Sequence, residues 1–193
     1  PERNKTYTVT EQKDIFKYLE KEDAILLLFI KFVSYNFIRP IEVCRLRIKD
    51  INLVNKTIQF KAKNSPLKTK IIPNILLEDL PDLSKIDNEA LLFTPGKIGA
   101  FWDANETNRR DYFSKRFRSV VKEHFKLNKN YGIYSFRHTF ISKLYRKLRE
   151  AASLFEAKSE LMLITGNTSM SALEKYLRDI DAELPEDYSK LFR

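Results

Sequence analysis

The sequence predicts an α+β fold, mostly α: a helical bundle with a small three-stranded antiparallel sheet at one side. Three observations lead there. Apolar residues recur at helical spacing over most of the chain. Alternation with β-branched residues is confined to one stretch, roughly 48–73. Glycine is scarce, 4 in 193 residues, and 43% of the residues are hydrophobic, which suits one well-buried domain rather than a disordered chain.

The elements follow in order. In TVTEQKDIFKYLEK, Thr8 or Thr10 caps a first helix; Thr10-x-x-Lys13 is not a capping box. The longest apolar run, AILLLFIKFV (24–33), is broken by Lys31 and is too short to span a bilayer. It reads as a buried second helix over roughly 22–37. KDINL and TIQFKA then flank a turn at Asn55-Lys56, and KTKIIPN follows a polar loop, giving the three strands. Pro73 suits the end of an edge strand. LLEDL is a short helix, and LLFTPGKIG is loop-like around Pro95 and Gly96. Phe113, Phe117, Val120, Val121 and Phe125 predict one helix. The next starts near Ser135, its N-cap, and runs to about Leu148. Others cover about 158–165, 171–180 and 186–192. Residues 149–160 read as a helix or loop extension, so 1–193 is taken as one domain.

Charge is unevenly placed along the chain. The net charge is +9, but Thr107 to Arg149 alone holds thirteen Lys or Arg against Asp111 and Glu123, a net +11. Such a concentration is the footprint of a nucleic-acid surface. Aromatic and basic residues do not segregate into one amphipathic face, which disfavours a membrane surface. Cys44 is the one cysteine, so a disulfide framework is excluded and a cytoplasmic setting is expected. Two histidines, one cysteine and no acidic cluster of ligand spacing predict no metal and no cofactor.

Several residues stand out for chemistry. With Ser135 as N-cap, Arg137 falls in the first turn, where free N–H groups and the dipole attract phosphate. FIRPIEV ends an apolar helix at Arg39, with Glu42 three residues on to hold it. FKAKNSPLKTK presents Lys61, Lys63, Lys68 and Lys70 on a hairpin, and Arg109, Arg110, Lys115 and Arg116 cluster farther on. TGNTSMSALEKYLRDI has a turn at Gly166, a Ser171-x-x-Glu174 capping box and Tyr176 on a short helix.

In that order these boxes resemble the catalytic domain of the tyrosine recombinases, the phage-integrase family, with Bacteroides-type mobile-element integrases the nearest. FIRPIEVCRLRIKDIN is similar to the family's first arginine box, and YSFRHTF to its second. Tyr176 lies nine residues after Asn167, as the family's nucleophile lies after a His or Trp. The resemblance runs from about residue 8 to 180. The chain departs from the pattern at Tyr134, which stands for the family's first histidine, and at Asn167, which stands for its later His or Trp.

The resemblance implies metal-free phosphoryl transfer on double-stranded DNA. It makes Tyr176 the nucleophile, Arg39 and Arg137 the clamps on the phosphate oxygens, and Lys63 the general acid, with Lys61 and Lys68 as substitutes. Glu42 orients the arginine side, and His138 is a structural member of its string. Tyr134 and Asn167 can donate hydrogen bonds, but Asn167 cannot shuttle a proton. Lys61, Lys68, Lys70, Arg109, Arg110, Lys115 and Arg116 are expected on DNA. Family members usually carry an N-terminal core-binding domain; here the chain starts at the catalytic domain, as in a truncated protein. A monomer is expected without DNA. On DNA, in a nucleoid-associated state, a homotetramer is expected to form through the C-terminal tail, 184–192. Two alternatives stay open: a catalytically degenerate recombinase that only binds DNA, and a type IB topoisomerase-like enzyme.

Overall fold

The computed structural model describes residues 4–61, 64–167, 170–177 and 189, apart from the side chains of Lys175 and Tyr176. The chain divides into two compact units, residues 1–140 and 141–193.

In the first unit, α1 (Val9–Glu22) starts at Thr8. The Thr8 hydroxyl accepts from Glu11 N, and Glu11 accepts from Thr8 N, a full capping box. The sequence reading missed it by framing the box on Thr10. Helix α2 (Ala24–Tyr35) is apolar almost all round and buries Leu26, Phe29, Ile30, Phe32 and Val33. Its interrupting Lys31 pairs with Asp79 at 2.8 Å. A four-residue connection, 36–39, leads to the short α3 (Pro40–Val43), with Pro40 at its first position.

The predicted sheet is present: β1 (Ile51–Asn52), β2 (Thr57–Lys61) and β3 (Leu67–Ile71), antiparallel in that order. Ile58 faces Lys70 and Phe60 faces Lys68 across β2 and β3. After α4 (Asn74–Leu77), the expected loop LLFTPGKIG is instead a hairpin, β4 (Leu91–Phe93) and β5 (Ile98–Ala100). All three residues of β4 are buried, a run too short for alternation to reveal. Gly99 has φ +74 and meets Ile86, leaving no room for a Cβ.

Helix α5 (Glu106–Phe117) passes through a π-helical turn, Arg118–Lys122, into α6 (Glu123–Phe125). Phe113, Phe117 and Val121 point into the core, as their spacing predicts, while Val120 and Phe125 are only half-buried. Phe29 stacks on Phe113 at 4.4 Å and meets Phe93 edge-on, joining α2, β4 and α5 in one aromatic core. Helix α7 (Ile133–Arg149) begins here and runs on into the second unit.

The second unit continues with α8 (Leu154–Thr165) and α9 (Met170–Leu177). A Ser153–Glu156 capping box starts α8 four residues earlier than periodicity alone suggests. Gly166, at φ +72, ends α8 and donates its N–H to Met162 O. Helix α9 begins at Met170, so Ser171 lies inside its first turn rather than capping it. Lys158 of α8 reaches Glu174 of α9 at 3.8 Å, and Leu161, Leu173 and Leu177 are buried. The expected helix at 186–192 lies outside the described residues apart from 189. Among the described residues, no helix is long and apolar enough to cross a membrane.

Candidate active site

Arg137 comes from α7, and the start of the chain fixes where that helix begins. Tyr7 stacks on Phe136 at 4.3 Å, and it donates its hydroxyl to Gly132 O and its backbone N–H to Thr139 Oγ1. Ser135 is not the N-cap. It lies in the first turn, and its hydroxyl accepts from Gly132 N at 3.1 Å. Arg137 is therefore the fifth helical residue, past the free N–H groups that the sequence reading invoked. It is also only 3% exposed.

The partners of Arg137 come from the connection after α2. Its Nε donates to Phe37 O at 3.0 Å, and one terminal nitrogen reaches Tyr134 Oη at 3.5 Å. The guanidinium lies 5.9 Å from the Tyr134 ring centre, and His138 meets that ring edge-on at 5.3 Å. Phe37 has φ +54, a left-handed conformation that is strained for a bulky residue. Asn36, before it, donates its side-chain amide to Ile71 O and offers its own carbonyl to Lys70 Nζ at 3.2 Å.

Arg39 closes the connection. Its N–H donates to Glu42 Oε2 at 2.9 Å, and its guanidinium lies 4.0 Å from Oε1. Glu42 is buried, whereas the Arg39 side chain is 46% exposed. One short connection thus gathers Lys70, Arg137 and Arg39, with Glu42 as their nearby carboxylate. Burial first, then the positive charge of Arg137, lower the Lys70 pKa to about 7.

The other expected residues are distributed as follows. Lys61 is exposed, and its carbonyl accepts from Arg45, which also bonds Glu106 of α5. Lys63 and the Tyr176 side chain lie outside the described residues. Lys68 is half-buried. Arg109 donates to Cys44 O at 2.9 Å, Arg110 pairs with Asp111, and Lys115 is exposed. Arg116, expected on DNA, is spent inside the protein: Nε and Nη2 bond both oxygens of Asp23, and Nη1 bonds Pro95 O. In the second unit, Asn167 follows the α8 cap, and its Nδ2 is buried with no hydrogen-bond partner among the described residues. Tyr176 is the seventh residue of α9.

Sequence reasoning missed the two carbonyls, at Asn36 and Phe37, because any residue type carries them. It placed Lys70 on an exposed hairpin. The signal that relocates it was available: residues opposite one another share a face, and Lys70 is opposite Ile58, which is fully buried.

The family model described as phage integrase family matches residues 5–156. No curated protein matches the chain by sequence. Among solved structures, the chain is similar to the crystal structure of XerA recombinase, at 17% identity and TM-score 0.66, covering 100% of this chain and 64% of that one. XerH site-specific recombinase, bound to palindromic difH substrate in a post-cleavage complex, matches at 19% and 0.63, over 97% of this chain and 51% of that one. The Tn1549 transposon integrase, in complex with a circular intermediate DNA, matches at 15% and 0.65, over 100% and 66%. The chain thus spans between half and two thirds of the length of these three. Identities this low carry the fold, a mostly helical domain with a small antiparallel sheet.

Proposed function

Because the chain belongs to the phage integrase family, we propose that it is the catalytic domain of a site-specific tyrosine recombinase, which cleaves and rejoins double-stranded DNA through a 3′-phosphotyrosyl intermediate. The observation that carries this reading is the convergence of Arg39 and Arg137 on one short connection beside Glu42. The Phe37 carbonyl and the Tyr134 hydroxyl orient the Arg137 guanidinium beside Arg39, where both forks can meet a phosphate.

The Tyr176 oxygen attacks the scissile phosphorus and loses its proton to solvent water. The bond from phosphorus to the 5′ oxygen breaks, and that oxygen takes a proton from Lys63, with Lys61 and Lys68 as substitutes. Arg39 and Arg137 neutralise charge on the non-bridging oxygens of the transition state. A 5′ hydroxyl of a second strand then attacks the phosphotyrosyl link and restores tyrosine. One phosphoester replaces another at each step, so no ATP is consumed, and the arginines supply the charge stabilisation that a metal gives in other phosphoryl transfers. Tyr134 and Asn167 donate hydrogen bonds to the phosphate, and His138 supports the Tyr134 ring. Lys61, Lys68, Arg109, Arg110 and Lys115 are proposed to meet flanking DNA; Arg116, paired with Asp23, is not among them.

The test is a nicked suicide duplex. Purified protein should form a covalent adduct that Tyr176→Phe abolishes while leaving DNA affinity nearly unchanged. Binding without any adduct would instead support a DNA-binding factor, a second reading favoured by the replacements at Tyr134 and Asn167. Assembly on DNA is proposed to be tetrameric through the tail, and the protein to be nucleoid-associated when bound. Deleting 184–193 should spare single-site cleavage and reduce strand exchange; loss of both would refute the assembly role.

A further inference from the structure

Strand β3 is patterned inside out. Its apolar residues Leu67 and Ile71 are 58% and 74% exposed, while Lys68 and Lys70 lie on the face shared with buried Ile58 and Phe60. A slip of one residue would exchange the two sets, burying Leu67 and Ile71 and freeing both lysines to solvent. The adopted register forgoes that burial and also desolvates an ammonium. A fold that keeps this arrangement has a use for the inward cation.

The surroundings of Lys70 indicate the use. Its Nζ is steered by Asn36 O at 3.2 Å and lies 5.2 Å from the Phe60 ring centre. The next carbonyl along the chain, Phe37 O, holds Arg137, and Arg39 follows two residues later. The charged groups facing Lys70 are Arg137, Lys68 and Arg39 on the positive side and Glu42 on the negative. A phosphodiester placed on the two arginines would bring its negative charge beside the Lys70 ammonium.

We propose that Lys70 is a further catalytic residue, a third cation that contacts the scissile phosphodiester together with Arg39 and Arg137. This deepens the recombinase reading and rests on it. Without DNA, Lys70 gives up its proton near pH 7 because of burial and the neighbouring arginines. A bound phosphodiester favours the ammonium, so DNA binding above that pH takes up a proton.

The experiment compares the parent protein with Lys70→Met and Lys70→Arg on a nicked suicide duplex between about pH 7.5 and 9. The expected result is an adduct rate lowered about a hundredfold by Met, substantially restored by Arg, and free of the parent's decline with pH in the Arg variant. Parallel binding of the same duplex, read by fluorescence anisotropy, separates this proposal from the recombinase reading. Should the parent form no adduct, its affinity should still fall by up to about tenfold per pH unit, and this fall should vanish in both variants. Lys70→Met cleaving or binding with the parent's magnitude and pH profile overturns the proposal.

Discussion

The two ends of α2 each hold a cation, and they hold it by different means. At the N-terminal end, Asp23 caps the helix through Leu26 N and takes Arg116 in a two-pronged pair at 2.6 and 2.7 Å. Both partners are largely buried, at 6% and 18% side-chain exposure. A carboxylate is required there, because the positive end of a helix dipole does not favour an arginine. At the C-terminal end the dipole is negative, and the carbonyls of Asn36 and Phe37 take Lys70 and Arg137. A carbonyl orients a cation without neutralising it. The first arrangement ties α2 to α5; the second orients two cations side by side at one helix end. A buried arginine is therefore assigned to structure or to chemistry by what its donors meet.

The sharpest way to break this comparison is to truncate one arginine at each end. Arg137→Ala should lower adduct formation about a thousandfold or more, because it removes an oxyanion donor. Arg137→Lys should recover little, since a point charge cannot reproduce the forked guanidinium. Asp23→Ala should act on stability instead, costing about 3–5 kcal/mol in urea unfolding by leaving Arg116 buried and unpaired. The adduct rate per folded molecule should stay at the parental value. Loss of cleavage in Asp23→Ala at unchanged stability would dissolve the distinction between the two ends.

Lys70 sharpens the comparison through pH. Its folded pKa is lowered from 10.5 to about 7, so between these values the unfolded chain binds more protons than the folded one. Stability from this group therefore rises with pH across that window and is lowest at and below its start. Lys70→Met should resist urea better than the parent at pH 7, and the gap should narrow by pH 9.5. A gap that widens would place the lysine in a favourable pair rather than a desolvated site. Smaller effects are expected at the altered family positions: Tyr134→His and Asn167→His should leave cleavage unchanged or faster, since each restores the family's usual side chain. Thr8→Ala, far from the chemistry, should cost about 1 kcal/mol through the lost cap.

Much of this was legible in the sequence, for local reasons. The Arg39–Glu42 spacing, the alternation in TIQFK and the Gly166 turn are each set by residues a few positions apart, and each is present. What was not legible depended on distant partners. Arg116 counted as one more basic residue until its partner Asp23, 93 residues away, was known. The β4–β5 hairpin hid behind Pro95 and Gly96 because a three-residue strand has no measurable period. Arg137 was assigned to a free helix end because Ser135 looked like a cap, whereas the helix begins at Ile133. The role of the 36–39 connection rests on carbonyl direction and the left-handed Phe37, which composition does not disclose.

The central claim is that the cations held at the C-terminal end of α2 serve phosphoryl transfer to Tyr176. The most direct measurement is the covalent product itself. Purified protein is incubated with a nicked duplex in EDTA, digested, and the DNA-bearing peptide mapped by mass spectrometry. The account predicts a metal-independent adduct on Tyr176 that Arg137→Ala suppresses. An adduct on another residue, an adduct indifferent to Arg137, or none at all would contradict it.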